Sequence, residues 1–169
     1  MTISVDALRK VGGAEESREH ALIFSTIGSS NYFKGNLEQA IEFHARALQI
    51  RENREDVPEI IISLNNLGDA YLECCEYMEA LKNYRQALKS AEQIGDAFGR
   101  AMALHNLAKT HIALGDDEQA EGFLRDSLKL SKDYKMRYLN NLNYLLRGKI
   151  KRRREEFAKA ESDLFRVLG

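Results

Sequence analysis

The chain has 169 residues, 44 % hydrophobic and 30 % charged, a balance that supports a folded core and excludes low-complexity disorder. A net charge of −1 gives no overall field for nucleic acid, and one Pro with no Trp suits helices better than sheets. No run approaches the roughly 18 apolar residues of a membrane-crossing helix, and the N-terminus MTISVDALRK lacks the apolar stretch of a secretory leader.

Apolar residues then recur at helical spacing, with short breaks between them. Gly12-Gly13 closes an N-terminal segment, residues 1–13, and the helical part occupies 14–169. The spacing predicts a helix over 14–34, a turn at Gly35-Asn36 and a partner helix over 37–52. Asn53–Pro58 resets the chain: Asp56 is placed to cap the next helix, and Pro58 suits its first turn. That helix is expected to end near Cys74, with its partner over 76–94. Gly95-Asp96 repeats the stop and cap 40 residues after Asp56. A third pair over 97–114 and 117–132 turns at Gly115-Asp116, and a fourth covers 135–153 and 156–168. The units are therefore 14–53, 54–94, 95–133 and 134–169.

A fixed interval runs through these units. Ala40, Ala80, Ala120 and Ala160 stand 40 apart, as do Leu48, Leu88, Leu128 and Leu168. Gly28, Gly68 and Gly148 share another slot with Ala108. Small residues there let the first helix of a pair (A) approach the second (B), and stacked pairs bury a stripe that one pair cannot. Unit two reads Leu64, Leu67, Gly68, Tyr71, Ala80, Tyr84, and unit three Leu104, Leu107, Ala108, His111, Ala120, Leu124. Unit one reads Phe24, Ile27, Gly28, Asn31, Ala40, His44; unit four departs furthest, with Tyr144, Arg147, Gly148, Lys151, Ala160, Leu164.

This pattern resembles the tetratricopeptide repeat, W-x2-L-G-x2-Y followed by A-x3-F. The resemblance implies an all-α solenoid of about four helix-turn-helix repeats in a right-handed superhelix. The common period is about 34 residues; the 40 found here is similar to the longer class that includes cell-polarity adaptors.

In that family the A helices line a concave groove that holds a peptide or a partner helix. Taking 64, 67, 68 and 71 as the face toward helix B, the opposite stripe in unit two is Ile62, Asn65, Asn66, Asp69 and Glu73. The matching stripes are Met102, His105, Asn106, Lys109 and Ala113 in unit three, and Leu142, Leu145, Leu146, Lys149 and Arg153 in unit four. Unit one offers Leu22, Ser25, Thr26, Ser29 and Phe33, which lacks the Lys and Asn of the family's carboxylate clamp. A carboxamide donates and accepts, so Asn66 and Asn106 suit a ligand's backbone or, alternatively, the neighbouring repeat. The expected contact residues are Asn65, Asn66, Asp69, His105, Asn106, Lys109 and Lys149, with Arg153 at the rim.

Charge is unevenly distributed. Residues 132–154 carry nine Lys or Arg and one Asp, a net of +8, while 155–169 sum to −2 and 1–131 to −7. Lys149, Lys151, Arg152, Arg153 and Arg154 form either an anchor for an acidic partner or a solvated helix end that complements the helix dipole. Aromatic interleaving for nucleic acid is absent, so a protein or peptide is the expected partner. Four histidines include no His-x3-His pair and the cysteines no Cys-x2-Cys, and the phosphate-loop and nucleophile-elbow motifs are missing. Neither metal, cofactor nor catalysis is expected. Adjacent Cys74 and Cys75 point about 100° apart on a helix and suggest a reducing, cytoplasmic setting.

Two alternatives accompany the binding-module reading. Apolar Leu164, Phe165, Val167 and Leu168 on the last helix suit self-assembly, with the segment Ile3–Leu8 as another possible cover. A regulatory or sensor fragment of a larger signalling protein is the other.

Overall fold

A computed structural model describes residues 17–168; the expected segment 1–13 and the start of the first helix lie outside them. The described residues form eight helices and no strand: α1 Arg18–Phe33, α2 Leu37–Asn53, α3 Val57–Glu73, α4 Tyr77–Ile94, α5 Ala97–Leu114, α6 Asp117–Asp133, α7 Arg137–Arg153 and α8 Phe157–Leu168. They stack as four antiparallel A–B pairs, each pair packing on the next, in an all-α solenoid. None of these helices is long and apolar enough to cross a membrane.

The turns are the most regular feature. A residue in the left-handed region follows a helix every 20 positions: Gly35, Glu55, Cys75, Gly95, Gly115, Lys135 and Glu155. After each, a backbone N–H reaches back five residues, as in Asn36 to Asn31, Asp56 to Arg51, Glu76 to Tyr71 and Glu156 to Lys151. The left-handed residue itself donates three residues back, as in Cys75 to Leu72. These paired bonds are the Schellman closure, which satisfies carbonyls left over at a helix end. Only three of the seven sites are glycine, so the other four hold a side chain where L-residues are strained. Because turns within and between pairs are alike, A and B helices have nearly equal length, and the interval of 40 follows from two steps of 20.

The capping expectations divide. Asp96 accepts from Phe98 and Gly99 N–H at 3.0 Å each, and Asp116 accepts from Gln119 N–H at 3.1 Å. Asp56 makes no side-chain cap, contrary to expectation. The residue matching Phe98 is Pro58, which has no N–H to give, and the Asp56 carboxylate instead lies 3.9 Å from Arg18.

Each A helix crosses its B helix where a small residue meets a large one. A Cβ placed on Gly68 would stand 2.4 Å from the Tyr84 ring, and one on Gly28 would stand 2.9 Å from His44. Ala108 and Leu124 share one buried cluster, and Gly148 packs by Leu164. Ala40, Ala80 and Ala120 are fully buried at these crossings. Complete burial of Tyr84 or Leu124 contributes on the order of 2 kcal/mol each.

Neighbouring pairs are joined by different chemistry at each junction. Between the first and second, buried Arg51 of α2 meets Ser63 and Glu59 of α3, the latter at 2.6 Å. The corresponding positions at the second junction are Ala91 and Ala103, both in an apolar cluster. At the third, buried Ser127 and Asn143 bond at 2.8 Å.

Two outcomes follow. Cys75→Gly relieves a left-handed residue at φ 61°, so urea unfolding should show a gain of about 1 kcal/mol; an unchanged or lower midpoint would contradict the turn analysis. His44 is buried, and burial pushes its imidazole down to about 4, with Arg51 adding to the effect. The unfolded chain therefore binds a proton that the folded one refuses. Stability present above about pH 6.5 is lost as pH falls toward about 4. His44→Phe should flatten that slope in urea titrations, leaving the share due to buried His105, which is shifted in the same direction.

Candidate functional site

Among the described residues A helices touch each other across repeats and B helices do not, so the A side forms the inner surface of the curve. Helical periodicity turns 64, 67, 68 and 71 toward B and brings four rows onto that surface. The first row, near the A-helix N-termini, is apolar throughout: Leu22, Ile62, Met102 and Leu142. Leu22 is 62 % exposed and Ile62 47 %. The third row is Ser29, Asp69, Lys109, Lys149, and the fourth Phe33, Glu73, Ala113, Arg153. The surface therefore runs from an apolar edge to a charged one.

The second row, between these edges, is partly used inside the protein. Asn106 donates from Nδ2 to Asn65 Oδ1 at 3.0 Å, joining α5 to α3. Asn65 donates its own Nδ2 to the Ile61 carbonyl at 2.8 Å. Asn66 is half-buried, with no side-chain hydrogen bond among the described residues. His105 is buried, and its Nδ1–H donates to Asn143 Oδ1 at 2.8 Å. Asn143 donates to Ser127, and Ser127 to the Ala101 carbonyl at 2.8 Å. That donor order fixes the Nδ1–H tautomer, and burial holds the imidazole below the usual histidine range. His105 thus belongs to a buried chain of bonds linking α5, α7 and α6.

The charged rows differ between units. Asp69 accepts from the Tyr84 hydroxyl at 2.7 Å, and burial holds its carboxyl above the usual range despite that bond. Burial, with Glu73 and Asp69 nearby, pushes the Tyr32 phenol up to about 12. Lys109 lies 3.9 Å from Glu73, and Lys149 is exposed. Unit two presents carboxylates to the inner surface, and units three and four present amines.

Most of the basic cluster on α7 is engaged within the chain. Arg153 donates to the Ile112 carbonyl at 3.0 Å and to Asp117 at 2.9 Å, bracing the α5–α6 turn. Arg154 meets Glu121 at 3.0 Å, and Lys151 meets Asp163 at 2.7 Å. Asp163, buried on α8, also receives the Arg147 guanidinium in a two-pronged contact. These cations hold its carboxyl below the usual range, overcoming the opposing effect of burial. Arg147 and Lys151 occupy slots filled by Leu107 and His111 in unit three, and Asp163 the slot of Phe123. The departure of unit four from the pattern is therefore a matched exchange of apolar contact for an ion cluster. Sequence reasoning missed Asp163 and Arg51; a charge pair replacing two apolar slots 16 apart was the available signal for the former.

Comparison with known proteins supports the same architecture. Residues 59–133 match the tetratricopeptide repeat family model. G-protein-signaling modulator 1 of Homo sapiens is 31 % identical over 86 residues, covering 51 % of this chain and 12 % of that protein. The apo form of RapI superposes with a TM-score of 0.83 at 18 % identity, over 94 % of this chain and 58 % of RapI. BtubC from P. vanneervenii gives 0.80 at 20 % identity, over 98 % of this chain and 68 % of BtubC. A signal transduction ATPase with a tetratricopeptide repeat sensor, from Pyrococcus horikoshii, gives 0.77 at 19 % identity, over 94 % and 25 %. At these identities the superpositions speak for fold alone, and this chain spans a small part of the human relative. Repeats of this kind generally mediate protein–protein interaction and are typically non-enzymatic. The central units, residues 59–133, thus match tetratricopeptide repeats, and the helical interval of 40 continues on both sides of them.

Proposed function

We propose that the inner surface is a docking groove for a segment of another protein, and that the chain works as a recognition module. The observation that carries this is the apolar row Leu22, Ile62, Met102 and Leu142, its first two side chains exposed and the other two half-buried, beside half-buried Asn66. A partner segment with one apolar side would cover that row and place polar groups on Asn66, Asp69, Lys109 and Lys149. The change of sign along the third row orients it, cationic groups toward α3 and anionic groups toward α7. Asn65, His105 and Asn106 support the surface, and Arg153 fixes its rim through Asp117. One relative is a modulator of G-protein signalling and one structural neighbour uses such repeats as a sensor. Both favour recognition, here in a soluble cytoplasmic setting.

A peptide-display screen would supply a ligand, and fluorescence anisotropy would then measure its affinity. Asn66→Ala combined with Asn106→Ala should weaken binding about tenfold or more, or about 1.4 kcal/mol. Outer-surface Lys82→Ala should leave it unchanged. A thermal melt separates lost contact from lost structure, since Asn106 also holds Asn65. Unchanged affinity in a folded double variant would refute the groove.

A second reading rests on α8, whose Phe157 is 62 %, Leu164 45 % and Phe165 62 % exposed. Such a face suits self-association through the fourth unit. Light scattering over a concentration series should then show a mass that rises with concentration and falls back in Phe165→Glu. A constant monomer mass would dismiss this reading.

A further inference from the structure

A second basic surface lies away from the groove. A cleft of about 600 Å³ is lined by Glu121, Arg125, Leu128, Lys129, Lys132 and Asp133 of α6 and by Arg147 of α7. Leu128 in its lining is buried, and two of the lining cations, Lys132 and Arg147, lie over the ring of buried Tyr144. Three cations converge on the Tyr144 ring, with Lys132 Nζ at 5.7 Å, Arg147 Cζ at 4.9 Å and Arg166 Cζ of α8 at 5.5 Å from its centre. Arg147 and Arg166 also have Asp163 as a counter-charge, whereas Lys132 has the ring but no ion pair among the described residues.

The carboxylates nearby are largely committed. Glu121 is held by Arg154, and Asp163 by Arg147 and Lys151. Asp133 remains at the cleft edge, against Arg125, Lys129 and Lys132, none of which forms an ion pair among the described residues. Those three stand at i, i+4 and i+7 on α6, so they share one face and span roughly 10 Å. That line is too long for one oxyanion. It fits successive acidic side chains of an extended peptide, which fall on one side about every 7 Å. A nucleic acid would need a free ring on which to stack bases, and Tyr144 is only 5 % exposed and already covered by cations.

We propose that this cleft is a second binding site, for an extended acidic polypeptide segment, separate from the inner groove. The probe is a fluorescein-labelled octaglutamate, titrated at low salt and followed by anisotropy. Saturable binding is expected, weakened about tenfold or more by Lys129→Ala with Lys132→Ala. Both residues are exposed, so the double variant should keep its helical circular dichroism and melting temperature. Lys82→Ala with Lys89→Ala on α4 should bind as the unaltered protein does. The proposal is overturned if octaglutamate fails to bind, or if the α4 pair costs as much as the α6 pair. It is equally overturned if oligothymidylate or phosphatidylserine vesicles bind the cleft more tightly than the peptide. Loss on Lys109→Ala alone would place the acidic segment in the groove and not here.

Discussion

The structure depends on how closely an A helix can approach its B helix. At Gly68 the two come so near that even a methyl group would run into the Tyr84 ring. That ring is held from its far end by Asp69, which itself faces the inner surface. The crossing thus sets the tilt of each pair and, through Tyr84 and Asp69, positions a groove residue. The seven equivalent turns multiply this local geometry. With a left-handed residue every 20 positions, each helix leaves its predecessor in the same way, so the inner faces fall into rows.

Within that uniform frame, the junctions between pairs are individual. An arginine with a serine and a glutamate joins the first two pairs, alanines the next, and a serine with an asparagine, the serine one helical turn earlier, the last. An arginine buried at one junction has no partner waiting at another, so the units cannot exchange order without stranding a charge. Unit four carries the principle into its own core, where Asp163 balances Arg147 and Lys151. The same cations that look like an open anchor along the sequence become struts between helices.

Much of the fold was legible because close packing leaves a periodic trace. Ala40, Ala80 and Ala120 repeat since no larger side chain fits where they lie, and Gly35, Gly95 and Gly115 mark turns since glycine enters the left-handed region freely. Glu55, Cys75, Lys135 and Glu155 adopt the same conformation without that signature, and only the spacing of 20 from the glycines could have exposed them. The candidate site was less legible. Periodicity identifies a stripe but not the hydrogen bonds that consume it: Asn106 turns to Asn65, 41 positions away, and His105 to Asn143. A capping aspartate was anticipated at 56, where the carboxylate lies toward Arg18 and makes no cap. Each of these depends on a partner elsewhere in the chain, and a single-residue reading of type and position cannot see it.

The most direct test of the account is Gly68→Ala, measured by urea unfolding together with native-state hydrogen exchange. The added methyl has to displace a fully buried tyrosine ring, so stability should fall by roughly 1–3 kcal/mol. Faster exchange should then spread from α3 and α4 to α5, which shares the Asn65–Asn106 bond. A variant as stable as the parent, with exchange altered only beside residue 68, would show that the close crossing does not govern the array.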